Sequence, residues 1–100
     1  MQVTIPFQED FKDRMLEGKK NATTRTKRYG EVGDTFSAFD ATFEIIQVWR
    51  IPLGLVANAL SKAEGFQSPE DFIQCWKRLH PRKGYMQEQK VYTHIFKLVR

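Results

Sequence analysis

Cysteine is nearly absent: Cys75 stands alone. One thiol cannot close an intrachain disulfide, and no Cys and His set has the spacing of a zinc finger, so no metal is expected. Long apolar runs are absent too. None approaches the ~20 residues that a membrane-spanning helix needs, and the N-terminal "MQVTIPFQEDFKDR" lacks the basic-then-apolar order of a secretory signal. The chain therefore reads as a soluble, cytoplasmic domain with no membrane partner. No glycine-rich nucleotide loop, nucleophile elbow or paired-carboxylate glycosidase motif is found, and no cofactor is expected. Internal repeats and low-complexity tracts are also missing.

What remains is a globular composition. The 100 residues include 41% apolar and 28% charged residues and thirteen aromatics, eight of them Phe. That length makes one domain, residues 1–100, and buries roughly 60–68% of its unfolded surface. Net charge is +4. Its distribution says more than its size. Residues 19–28 carry Lys19, Lys20, Arg25, Lys27 and Arg28 without an acid; residues 77–83 carry Lys77, Arg78, His80, Arg82 and Lys83, again without one. Two acid-free basic blocks favour an anionic partner, and nucleic acid is the usual one. Two solvated basic segments, or a face for an acidic protein, are the alternatives.

Periodicity supplies the elements. "VTIPF" (3–7) is a short extended start. Phe7, Phe11 and Met15 then recur every four residues, which predicts a helix over about 8–17 with Gly18 at its left-handed cap. "TTRT" (23–26) is β-prone. "TFSAF" and "TFEIIQVWRI" read as strands joined at Asp40–Ala41, with Phe43, Ile45 and Trp49 on one face and Ile46 and Val48 on the other. A strand apolar on both faces belongs in a barrel or between layers. Leu53, Val56, Ala57 and Leu60 predict a helix at about 53–61. "SPEDF" starts another, with Ser68 as cap, Pro69 in the first turn, and Phe72, Ile73, Trp76 and Leu79 as its buried stripe. The last strand is "KVYTHIFKLV" (90–99), with Tyr92, His94, Phe96 and Leu98 on one face; residues 84–88 offer one further strand. The order β-α-β-β-β-α-α-β is that of an α+β domain around a small bent sheet or barrel.

A helix ending in Gly-x-Lys, then Thr, then Arg, then a Gly-Asp turn into a strand, resembles the ASCH domain of the PUA-like superfamily. Here the residues are Gly18, Lys20, Thr23 and Arg25, followed by Gly33-Asp34; the stretch Glu64 to Trp76 and the final "THIFKL" are similar as well. The resemblance spans nearly the whole chain. It implies a small mixed PUA-like β-barrel with flanking helices, a cleft lined by the Gly-x-Lys loop, and a role in RNA metabolism. Some small bacterial members are amidohydrolases that deacetylate acetylcytidine with a Lys, a Thr and a Glu. Matched motif by motif, these fall on Lys20, Thr23 and Glu64. The basic "TRTKRYG" segment and the Trp-bearing helix are closer to ASCH proteins in general.

Two chemistries follow. As a binder of RNA or a modified nucleoside, the chain would set Lys19, Lys20, Arg25, Lys27 and Arg28 against phosphates, with Tyr85, Tyr92 or Trp49 stacking on a base. As a hydrolase, it needs a base for the Thr23 hydroxyl. A free lysine titrates near ~10.4; burial and neighbouring cations lower that, and Glu64 raises it. If Glu64 touches Lys20, Glu64 is the base and Lys20 the fixed charge. If it does not, Lys20 activates Thr23. His94 fits an inward-facing, hydrogen-bonded histidine and also a ligand contact. Trp49 and Trp76 fit the core, His80 a helix end, and Cys75 a structural role.

Overall fold

Four strands form one antiparallel sheet in the order β1-β4-β3-β2, curled into half a barrel. They are β1 (Ala22–Arg25), β2 (Thr35–Ala38), β3 (Ala41–Pro52) and β4 (Lys90–Leu98). A 3₁₀ turn, Glu9–Phe11, runs into α1 (Lys12–Leu16); α2 (Leu53–Ala59) and α3 (Pro69–Leu79) lie between β3 and β4 in sequence. A computed structural model describes residues 1–99. The α+β class with flanking helices is as expected from the sequence.

Central β4 is clad on both faces. Phe96 joins Ile5, Met15, Phe36, Phe43 and Ile45 in one core, while Val91 joins Leu53, Val56, Ala57, Phe72 and Trp76 in the other. A period of two separates those faces, so the strand between the layers is β4. In β3 the period breaks. Ile45 pairs with Phe96, but Gln47 pairs with Ile95, leaving one extra residue at the bulge. Beyond it the faces exchange. Val48 packs toward the first core, and Trp49, expected beside Phe43 and Ile45, is 41% exposed.

Other local differences have plain causes. "VTIPF" (3–7) forms no strand: one parallel bridge, Gln2 to Thr35, stands just before it, and Pro6 has no amide hydrogen to extend a ladder. Residues 84–88 are irregular, with a turn at 87–88, rather than a strand. The β2–β3 hairpin turns on Phe39 and Asp40, both with positive φ (55° and 62°), one residue earlier than Asp40–Ala41. This pair of left-handed residues gives the twist that a two-residue hairpin requires. In α3, Ser68 Oγ accepts from the Asp71 N–H at 3.2 Å and Pro69 opens the helix, as the sequence predicts. Leu79, assigned to the buried stripe, is 52% exposed at the last turn.

Candidate functional site

Two turns bring Lys20 and Glu64 together. Gly18 takes φ +78° at the end of α1, and the amides of Lys19 and Lys20 both donate to Arg14 O, at 2.8 and 2.9 Å. This cap turns the Lys20 side chain inward. The segment after α2 is fixed by Glu64 N–H to Leu60 O (2.9 Å), and Ala63 O accepts from both Asn21 N–H (2.8 Å) and Ala22 N–H (3.0 Å). Gly65 has φ +98°, and a Cβ there would stand 3.1 Å from Lys20 Cβ. Its missing side chain is the room that the lysine stem uses.

The Lys20 amine donates to Ala22 O at 2.8 Å and to Glu64 O at 2.7 Å, and lies 3.5 Å from Glu64 Oε1. It also sits 4.5 Å from the centre of the Phe11 ring. Glu64 Oε2 accepts from the Thr24 hydroxyl at 2.6 Å, and Thr24 Oγ1 is 2.8 Å from Thr93 Oγ1. Lys20 and Glu64 are each 3% exposed. Burial pushes the Lys20 amine below its ordinary value, against the pull of Glu64. It pushes the Glu64 carboxyl above its ordinary value, against Lys20 and the Thr24 hydroxyl. The two proton affinities are thus drawn toward each other, because burial disfavours the charged form of both groups.

Arg25 is built in. Its Nε donates to Thr23 Oγ1 at 3.0 Å and its Nη2 to Pro6 O at 2.7 Å, while the guanidinium lies 5.1 Å from the Phe7 ring centre and 5.4 Å from that of Tyr29. His94 is fully buried. Its Nε2 accepts the Tyr29 N–H at 3.0 Å, and Nδ1 is 3.2 Å from Thr23 O, which can only accept. These partners assign the neutral ring with the proton on Nδ1. Burial holds its pKa below the ordinary 6.5.

Beside them lies a cavity of about 440 Å³. Lys20, Thr23, Thr24, Arg25 and Glu64 supply its polar wall; Phe7, Phe11, Tyr29, Phe66, Phe72 and Trp76 supply aromatic walls. The buried Trp76 Nε1 has no hydrogen-bond partner among the described residues. The edge strand adds main-chain groups. Phe96 N–H donates to Asn21 O at 2.9 Å. The alternation of an antiparallel ladder then turns the N–H and C=O of Thr24, opposite Thr93, toward the open side of β1.

The remaining sequence candidates lie elsewhere. Lys19 is exposed and paired with Glu17 at 3.1 Å, on a second, polar cavity that also touches Arg78. Arg28 is paired with Glu31 at 2.8 Å. Lys27 is exposed, its Nζ 5.8 Å from the Tyr29 ring centre. Tyr85 packs on the second core, and neither it nor His94 lines the main cavity. Thr24 and Thr93 are the residues that sequence reasoning missed. The only signal was the doubled threonine at 23–24, whose two side chains a strand must send to opposite faces. Among the described residues, no group of three or more His, Cys, Asp or Glu could hold a metal ion, and no helix is long and apolar enough to cross a membrane.

No family model matches the sequence, and no curated protein matches it. Solved structures do match in shape. The hypothetical protein PH0355 superposes with a TM-score of 0.75 at 14% identity, covering 99% of this chain and 100% of that one. An ASCH domain from Lactobacillus crispatus superposes at 0.67 with 18% identity, covering 97% of this chain and 79% of that one. Protein PF0455 from Pyrococcus furiosus gives 0.68 and 16%, covering 100% and 99%. The chain has an ASCH-like fold. At such identities the likeness concerns the path of the backbone, and the site must be read from its own residues.

Proposed function

We propose that the ASCH-like domain binds RNA or a modified nucleoside, taking one base into the main cavity. The observation that carries this reading is the joining of a buried amine, carboxylate and pair of threonines with aromatic walls around about 440 Å³. That volume falls in the range of small-molecule sites, roughly 300–1,000 Å³. Aromatic rings stack on an unpaired base, and the outward N–H and C=O of Thr24 offer a donor and an acceptor side by side to its hydrogen-bonding edge. Titrating cytidine, acetylcytidine, uridine and adenosine into labelled protein, followed by amide shifts, tests it. Shifts at residues 23–25 and 64, with affinity lowered about tenfold or more in Glu64→Gln, support the reading. No shift with any nucleoside or RNA rejects it.

A second reading rests on the 2.6 Å contact of Glu64 with the Thr24 hydroxyl. The carboxylate takes the proton as the hydroxyl, or a water in its place, attacks the carbonyl carbon of an acylated exocyclic amine. The adjacent Lys20 charge favours the developing oxyanion. Glu64 then returns the proton to the departing amine, and water releases any acyl group held on oxygen. Family resemblance matches Thr23 to the nucleophile, whereas Thr24 is the hydroxyl against the carboxylate. Incubation with acetylcytidine and mass detection of cytidine tests hydrolysis. Comparing Thr23→Val with Thr24→Val identifies the hydroxyl, and no turnover in the unmodified protein ends this reading.

A further inference from the structure

The cations inside the cavity are already committed. The Lys20 amine is held by two carbonyls and Glu64, and the Arg25 guanidinium by Pro6, Thr23 and two rings. Neither is free to meet a phosphate. Other cations flank residues of the cavity wall in sequence, at two places. At one, Thr26 and Tyr29 line the cavity and Lys27, between them in sequence, is exposed. At the other, the end of α3 brings Leu79 and His80 to the cavity wall, with Lys77, Arg82 and Lys83 exposed within four residues of them. Among the described residues, none of these four cations forms an ion pair. Arg78 differs: it lines the second cavity together with Asp10 and Asp71.

We infer that the ligand is a single-stranded polynucleotide rather than a free nucleoside, with one base in the cavity and the neighbouring phosphates on Lys27 at one rim and on Lys77, Arg82 and Lys83 at the other. This rests on the reading of the cavity as a base site and names the form in which the base arrives. The arrangement follows the demands of each part of a nucleotide. A base is uncharged, and it enters an aromatic interior whose Lys20 and Glu64 charges offset each other. Phosphates keep their charge by staying at the solvated rim, where flexible lysines meet them as point charges. Only an unpaired strand can splay a base into such a cavity; a duplex would first have to unstack it. His80 strengthens the second rim. Its ring stacks on Trp76 with centroids 4.1 Å apart, and its Nδ1 is engaged with Trp76 O at 3.0 Å, which leaves Nε2 for the strand.

The experiment measures anisotropy of fluorescein-labelled single-stranded pentamers of cytidylate, uridylate and adenylate, alongside titration with the free nucleosides. At least one pentamer is expected to bind ten times or more tighter than its nucleoside. Two to three phosphates on the rim give a slope of log K against log salt of about −1.4 to −2.1, at roughly 0.7 per phosphate on a single strand. The triple variant Lys77→Ala, Arg82→Ala, Lys83→Ala is expected to lose about 0.7–1.4 of that slope, one to two phosphates, and to bind free nucleosides as before. A slope near zero, an unaltered slope in the folded triple variant, or equal binding of polyglutamate overturns the inference. If nucleosides bind and no pentamer binds more tightly, this inference fails and the base-binding reading stands. If neither binds, both fail.

Discussion

The Lys20 amine lies 3.5 Å from Glu64 Oε1 and 2.7 Å from the carbonyl of the same glutamate, across 44 positions of sequence and almost entirely out of water. One residue thus supplies both a charge and a backbone acceptor to the same ammonium. This knot, together with the Asn21 and Ala22 amides on Ala63 O, ties the loop after α2 to the segment after α1, and the cavity wall depends on it.

Breaking the knot from one side leaves a buried charge and stranded acceptors. Lys20→Met removes the donor to Ala22 O and Glu64 O and leaves the carboxylate unmatched. A loss of about 3–5 kcal/mol is expected, the range for removing one partner of a buried pair. Urea unfolding measures it. Lys20→Met combined with Glu64→Leu should cost clearly less than the two single changes added together. Strict additivity would mean that the pair is not coupled.

His94 should set a pH dependence of stability. Its folded pKa lies below the ordinary 6.5 because it is buried neutral, with Nε2 accepting the Tyr29 amide. Between the folded value and 6.5 the unfolded chain binds more protons, so stability rises with pH through that window and is lost as pH falls. Glu64, whose pKa is raised, contributes the opposite slope above its ordinary 4.5. Subtracting the curve of His94→Gln from that of the unmodified chain removes the Glu64 contribution. The difference should climb with pH below 6.5 and be flat above it. A flat difference throughout would show that His94 is not held neutral.

Arg25 should act through position rather than through charge. Its fork joins Pro6 O to Thr23 Oγ1 between two rings. Arg25→Lys keeps the charge but loses the fork and the planar stack. It should lower stability by about 1–3 kcal/mol, the worth of charged hydrogen bonds with a buried partner left over. It should also weaken ligand binding while leaving the salt slope within about half a unit. In Arg25→Gln, which removes the charge, a slope smaller by about 0.7 would instead make Arg25 a phosphate contact.

How far the sequence reveals this molecule depends on whether a feature is local. α3 is legible because Ser68, Pro69 and Asp71 make its start within four residues. The turn of Gly18 is legible for the same reason. Lys20, Thr23 and Glu64 came from the resemblance, and all three border one cavity. Which of the neighbouring threonines meets Glu64 was not legible, since it depends on how β1 is set against a segment 40 positions away. The register of β1 places Thr24 opposite Thr93 and Thr23 opposite His94. No pattern inside "TTRT" distinguishes those outcomes. The bulge at Ile45–Gln47 is hidden likewise, because it answers to β4 rather than to the alternation of β3.

That bulge yields a measurable contrast between the two tryptophans. Alternation across 42–51 puts Trp49 in the core; the extra residue turns it outward, 41% exposed, while Trp76 is 4% exposed and stacked on His80. Trp49→Phe should therefore change stability by no more than about 0.5 kcal/mol, as surface substitutions do. Trp76→Ala removes a buried aromatic between α3 and the cavity and should cost about 3–5 kcal/mol. Iodide quenching separates the two without unfolding. Trp49→Phe, which keeps only Trp76, should resist iodide, and Trp76→Phe, which keeps only Trp49, should be readily quenched. Equal quenching of both variants would mean that β3 keeps its alternation through residue 49, with no bulge to turn that side chain outward.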